Sequence, residues 1–242
     1  MRLSIVSAIA ALFVLSPFQA FAESEEELGA MCDAAWALMW SADTSPQDLE
    51  KAEALLTQVA EHWTFVHSDL GLIALRLHND TAAAAHHFEI AGNAGTGLAD
   101  RYLAQMKVTR MVPSADPLAE AAFLLERGGK DPSCWDCLYR VGEVAMWRGD
   151  FAKASEFWHT AAAAKGDPMA ADALATAIAA GHIASSDPKV EASGWRILAG
   201  LRFGRADEVE TRLRQEGVPD DILAHARAWA AERLRDFPKA SP

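Results

Sequence analysis

Short polar breaks recur along this chain at a nearly constant interval. Asp43, Asp80, Asp116, Asp150 and Asp187 are separated by 37, 36, 34 and 37 residues. Each lies in turn or capping chemistry: Thr44-Ser45-Pro46, Asn79-Asp80-Thr81, Ser114-Ala115-Asp116-Pro117, Gly149-Asp150 and Ser185-Ser186-Asp187-Pro188. Ser, Thr or Asp ahead of a helix, and Pro in its first turn, mark helix starts. A period of this length is the signature of supersecondary units that cannot bury an apolar face alone and must stack on their neighbours.

The segments after the breaks support that reading. Ala52-Leu56-Val59, Ala84-Phe88-Ala91, Ala121-Leu125-Gly128 and Ala154-Trp158-Ala161 repeat a small, large, small pattern, with Glu191-Trp195-Leu198 as a weaker fifth. Steps of four and three place each trio on one helical face, a large knob flanked by residues that permit close approach. Ahead of the breaks run partner segments, Leu70-Gly71 with Ala74, Leu103-Ala104, Val141-Gly142 with Ala145, and Leu174-Ala175 with Ile178. A Gly in mid-helix costs about 1 kcal/mol of propensity, so its return in register predicts close helix contact there. No stretch alternates Val, Ile and Thr as a strand would. The expected fold is all-α, an α/α solenoid (superhelix) of five to six antiparallel helix pairs. The expected pairs are 25–41 with 46–62, 64–78 with 81–94, 98–111 with 117–128, 134–148 with 151–165, 169–181 with 188–203, and 205–216 with 219–236.

Val141-Gly142, Ala145, Ala154, Trp158 and Ala161 together resemble the tetratricopeptide signature. Phe157-Trp158, Ala161-Ala162, Gly166-Asp167-Pro168 and Ala170 resemble its Sel-one-like variant. The resemblance spans roughly residues 25–236 and is strongest over 137–172. Leu125 replaces the aromatic in the third repeat, and Glu191 stands where Ala is usual in the fifth. It implies a non-catalytic scaffold or regulator whose concave groove, lined by the first helix of each pair, takes a protein or peptide. Carried over by position, the groove candidates are Asp33, Trp40, Ser68, Arg101, Gln105, Asp136, Tyr139, Glu143, Asp172 and Thr176. Trp158 and Trp195 occupy the packing position and are expected in the core.

The N-terminus reads as a secretory signal over residues 1–22. Arg2 gives a positive start, Leu3 to Leu15 is apolar apart from Ser4 and Ser7, and Ser16-Pro17 ends the run. Ala20-Phe21-Ala22 suits cleavage after Ala22, leaving residues 23–242 as one helical-repeat domain, periplasmic or secreted. The chain carries 34 acidic and 22 basic side chains, a net charge of −12; removing Arg2 with the signal makes it −13. That balance argues against nucleic acid, which is bound through Lys and Arg on phosphates, and against an anionic membrane surface. No stable membrane insertion is expected after signal cleavage.

Three cysteines remain to be placed. Cys134-Trp135-Asp136-Cys137 is a C-x-x-C, and Ser133 with Asp136 would form a capping box that sets both thiols in a helix's first turn. A helix N-terminus favours thiolate, so a thiol-active redox enzyme or sensor is the alternative function. Zinc would find only half a site there. The preferred reading is a local disulfide formed in an oxidising compartment. Cys32 is expected as a buried free thiol. His86 and His87 are adjacent and point some 100° apart on a helix, which makes them poor joint ligands. No metalloprotease, nucleophile-elbow or phosphate-loop motif occurs. Neither a metal nor a cofactor is expected.

Overall fold

The structure is a computed structural model that describes residues 24–235, leaving out the side chains of residues 164 and 165. The predicted signal peptide lies outside the described residues. Among them are twelve α-helices and no strand. They are α1 (Glu25–Met39), α2 (Pro46–Val59), α3 (His67–Ile73), α4 (Thr81–Asn93), α5 (Gly97–Val108), α6 (Pro117–Gly128), α7 (Cys137–Trp147), α8 (Phe151–Thr160), α9 (Pro168–Ala179), α10 (Pro188–Arg202), α11 (Ala206–Gln215) and α12 (Asp220–Leu234). A 3-10 turn (Thr64–Val66) precedes α3, and π-type turns (Ala74–His78 and Ala161–Lys165) extend α3 and α8.

The recurrent Asp residues do what their spacing predicted. Side chains of Asp80, Asp116, Asp150 and Asp187 accept from backbone N–H groups at the starts of α4, α6, α8 and α10. Such caps satisfy donors that a helix start leaves without an intrahelical partner. The first break differs: Ser45, not Asp43, caps α2, in a reciprocal box with Asp48.

The chain packs as two compact units, one running to Ala94 and the other from Gly95. In the first, hairpins α1–α2 and α3–α4 close a core of Met31, Ala35, Met39, Leu56, Val59 and Ile73. In the second, hairpins α5–α6, α7–α8 and α9–α10 follow one another, with Trp158, Leu174, Ile178, Trp195 and Leu198 buried between them. Trp158 and Trp195 are core residues, as expected, at 1% exposure. The mid-helix glycines explain why. A Cβ on Gly71 would stand 2.5 Å from Phe88 Cε1, and one on Gly142 2.5 Å from Trp158 Cδ1. In these two hairpins the aromatic of the second helix lies against bare backbone of the first.

The last pair departs from the expected hairpin. α12 packs chiefly on α10, where Trp229 covers Gly194 and meets Trp195 edge-on at 5.3 Å. It reaches α11 through ion pairs, Arg227 to Asp207 and Glu210 at 3.2 and 2.8 Å, and Asp220 to Arg214 at 2.8 Å. The mean polarity of α11, ADEVETRLRQ, leaves too little apolar face to bury a second helix.

Candidate binding groove

In the second unit a groove of about 860 Å³ opens along the first helices of successive pairs. α7 supplies Tyr139, Glu143 and Met146; α9 supplies Met169, Asp172 and Thr176; α11 supplies Glu208 and Arg212, with Arg205 just before it. Steps of three and four keep each set on one face. Ala173, Ala177, Ala180 and Ala199 are among the groove's lining residues, short side chains that leave space between the longer ones.

The groove is charge-balanced in an acidic chain. Glu143, Asp172 and Glu208 face Arg196, Arg205 and Arg212. Arg196 is held by Asp172 at 2.9 Å and by Glu216 at 3.3 Å. Phe203, 52% exposed, and Met169 offer apolar surface beside these charges. At the α7 end the Tyr139 hydroxyl donates to Glu143 Oε1 at 2.9 Å. Burial first, and the neighbouring carboxylate second, push the Tyr139 phenol well up, so it remains a hydroxyl at any physiological pH.

A smaller cavity of about 200 Å³ adjoins it, and Glu143 lines both. Arg101, Gln105, Arg140 and Trp147 form its walls. Behind them the Asp136 carboxylate accepts from Arg101 Nε and Arg140 Nε, each at 2.8 Å.

Seven of the ten sequence-derived candidates fall in this unit. Tyr139, Glu143, Asp172 and Thr176 line the groove, while Arg101, Gln105 and again Glu143 line the adjoining cavity. Asp136 is 4% exposed and is the buried anchor of the two arginines rather than a wall residue. In the other unit, Asp33 is exposed and Trp40 is exposed beneath the Arg76 guanidinium, 5.7 Å from the ring centre. Ser68 is buried with its hydroxyl donating to the Phe65 carbonyl at 2.8 Å, which fixes the turn into α3. Reasoning from first helices alone missed Arg196 and Phe203, which come from the second helix α10 and the corner after it. The Glu208 and Arg212 stripe on α11 was visible as an i, i+4 pair.

Cys134 and Cys137 form a disulfide, Cα to Cα 5.4 Å, and both are fully buried. The expected capping box is not made. α7 begins only at Cys137, Asp136 is turned to the arginines, and Ser133 bonds to Asp131 instead. The disulfide is wedged where the start of α5 meets the end of α6: a Cβ on Gly128 would lie 3.1 Å from Cys137 Sγ, and one on Gly97 3.0 Å from Cys134 Cβ. Thiol–disulfide exchange needs access for an attacking thiolate, and these sulfurs offer none, so the structure does not favour the redox reading. Cys32 is buried and free; burial first, then Asp69 and Asp33, push its thiol up to about 11. Among the described residues no three His, Cys, Asp or Glu converge as metal ligands, and no helix is long and apolar enough to cross a membrane.

The fold is thus an α-hairpin repeat of the tetratricopeptide and Sel-one-like kind. No protein-family model matches the chain, and no curated protein matches it. Solved structures do show likenesses. A Sel1 repeat protein from Oxalobacter formigenes is 19% identical, with a TM-score of 0.49 over 93% of this chain and 75% of that one. A protective antigen of uropathogenic Escherichia coli strains, displaying an SLR fold, is 14% identical, with a TM-score of 0.41 over 87% of this chain and 54% of that one. MamA is 16% identical, with a TM-score of 0.37 over 78% of this chain and 92% of that one. At these levels the repeat fold stands on the hairpins of this chain itself.

Proposed function

We propose that this protein is a non-catalytic scaffold or regulator, exported to the periplasm or beyond, that holds an extended segment of a partner protein in the α7–α9–α11 groove. The observation that carries the reading is an open groove in which short alanine side chains are interspersed with polar, aromatic and paired charged ones. An extended peptide fits such a surface. Its side chains gain area against Phe203 and Met169, and its backbone and polar groups find donors and acceptors along the walls. Export rests on the sequence of residues 1–22.

A photo-crosslinking residue placed at Thr176 should capture one partner from intact cells, and the same residue at exposed Lys189 should not. Phe203→Glu should lower the yield at Thr176 at least about tenfold, a loss of ~1.4 kcal/mol, without moving the melting temperature. Equal capture at both positions, or indifference to Phe203→Glu, would sink the groove. N-terminal sequencing of the protein from the cell envelope should begin at Glu23; an intact Met1 would remove the exported part of the reading.

A further inference from the structure

In the first unit the fold joins two histidines that lie 20 residues apart in sequence. His67 Nδ1 and His87 Nδ1 stand 2.8 Å apart, with ring planes 25° from parallel and ring centres 5.1 Å apart. That separation is little more than the nitrogen gap plus two ring radii, so the facing nitrogens lie nearly on the line between the rings. A tetrahedral metal ion needs lone pairs that converge at an angle. Here they point at each other, which suits a proton shared along one line.

We propose that His67 and His87 form an acid-released latch that fastens the start of α3 to α4 near neutral pH and lets go when the pair takes up two protons. The proton balance fixes the order of events. Two neutral rings hold two protons on four nitrogens. One Nδ1–H donates to the other ring's bare Nδ1. A first added proton goes to the donor's bare Nε2, and the resulting cation donates a stronger hydrogen bond. A second has only the accepting Nδ1 to occupy. It places two N–H groups head-on and two positive charges across the 2.8 Å gap, where repulsion has little solvent to screen it.

The surroundings favour the neutral pair. Burial is the main cause that lowers both imidazoles below their usual value, and His86, on α4, adds to it. Glu53 on α2 acts in the opposite sense on His87. Glu53 itself also lies 2.9 Å from His78 Nε2, so one carboxylate serves both rings. The 3-10 turn before α3, Thr-Phe-Val, carries no titratable side chain.

Nitrogen-15 spectra of the full chain read the latch directly. At about pH 7.5, where free histidine is neutral, one of the two residues should carry its proton on Nδ1 and the other on Nε2. Titration should then show two separated steps shared by both rings. Finding both as the Nε2–H form, or two independent titrations at the ordinary value, would overturn the latch. Amide exchange supplies the conformational readout. Protection of α3 and α4, corrected for intrinsic rates, should fall at least about tenfold more than that of α9 once the pH passes below the second of those steps. The same measurement on His87→Gln, which cannot acquire the second charge, should remove that excess. An equal fall in both proteins would assign the acid effect elsewhere and overturn the latch.

Discussion

The indole of Trp158 lies close against Gly142, and its Nε1 donates to the Tyr139 carbonyl one turn earlier at 3.0 Å. The contact needs both the missing side chain and the acceptor beside it. Gly142→Ala places a methyl inside the ring's van der Waals envelope and should destabilise the protein by about 1–3 kcal/mol, as overpacking does. Gly29 lies in mid-helix on α1, and a methyl there would meet nothing within 4 Å, so Gly29→Ala should stabilise by about 0.5–1 kcal/mol. Denaturant unfolding of the two variants checks the contrast; equal effects would mean that Trp158 does not depend on the bare backbone.

Asp100 is 1% exposed and pairs with Arg127, whose Nε lies 2.8 Å from its Oδ2. Removing one partner of a buried pair costs far more than the pair's net worth. Asp100→Ala should therefore cost on the order of 3 kcal/mol, whereas Asp207→Ala, at an exposed ion pair, should cost under about 1 kcal/mol. Thermal melts of both variants measure the difference.

Cys32 should resist modification in the folded protein, because burial keeps the thiol protonated at neutral pH as well as hidden. Thiol counting should give none in the native state, one in denaturant and three after reduction, since Cys134 and Cys137 are joined. A reactive thiol in the native state would show that α1 opens.

His159 is half-buried and meets Trp195 edge-on at 4.8 Å. Burial lowers its pKa, Glu191 opposes that, and Arg233 adds to it. The fold holds the neutral ring, so this stabilisation is complete above the free value of about 6.5 and is lost as pH falls below it towards the lowered folded value. His159→Phe keeps an aromatic edge against Trp195 without the charge. Its loss of melting temperature between about pH 7.5 and pH 5 should be smaller than that of the native chain, and an identical loss would place the acid sensitivity elsewhere.

The repeat was legible because its determinants are local. Asp80, Asp116, Asp150 and Asp187 cap helices within three residues of themselves, and the Ala84-Phe88-Ala91 and Ala154-Trp158-Ala161 trios declare a face through spacing alone. Phe88 and Trp158 could be matched to Gly71 and Gly142 because the register repeats. The groove was half legible. Tyr139, Glu143, Asp172 and Thr176 follow from their place on first helices, but Arg196 and Phe203 reach it from a second helix and its corner, which no period announces. Asp136 shows a different limit: beside Ser133 it reads as the second member of a capping box, yet two arginines, one of them 35 residues away, decide where it turns. His67 and His87 met for the same reason, through tertiary contact.

The π-type turns at Ala74–His78 and Ala161–Lys165 both finish in a left-handed residue, Asn79 or Gly166, followed by a capping Asp. Each widened turn is closed by a bond from that Asp's N–H to the first carbonyl of the turn, at 2.9 and 3.2 Å. The corners after α7 and α10 close with a bond five residues back, Asp150 N–H to the Ala145 carbonyl and Arg205 N–H to that of Gly200, so the two π-type corners take in one residue more. Corner length therefore varies by a residue while Asp80, Asp150 and Asp167 each still cap the helix that follows.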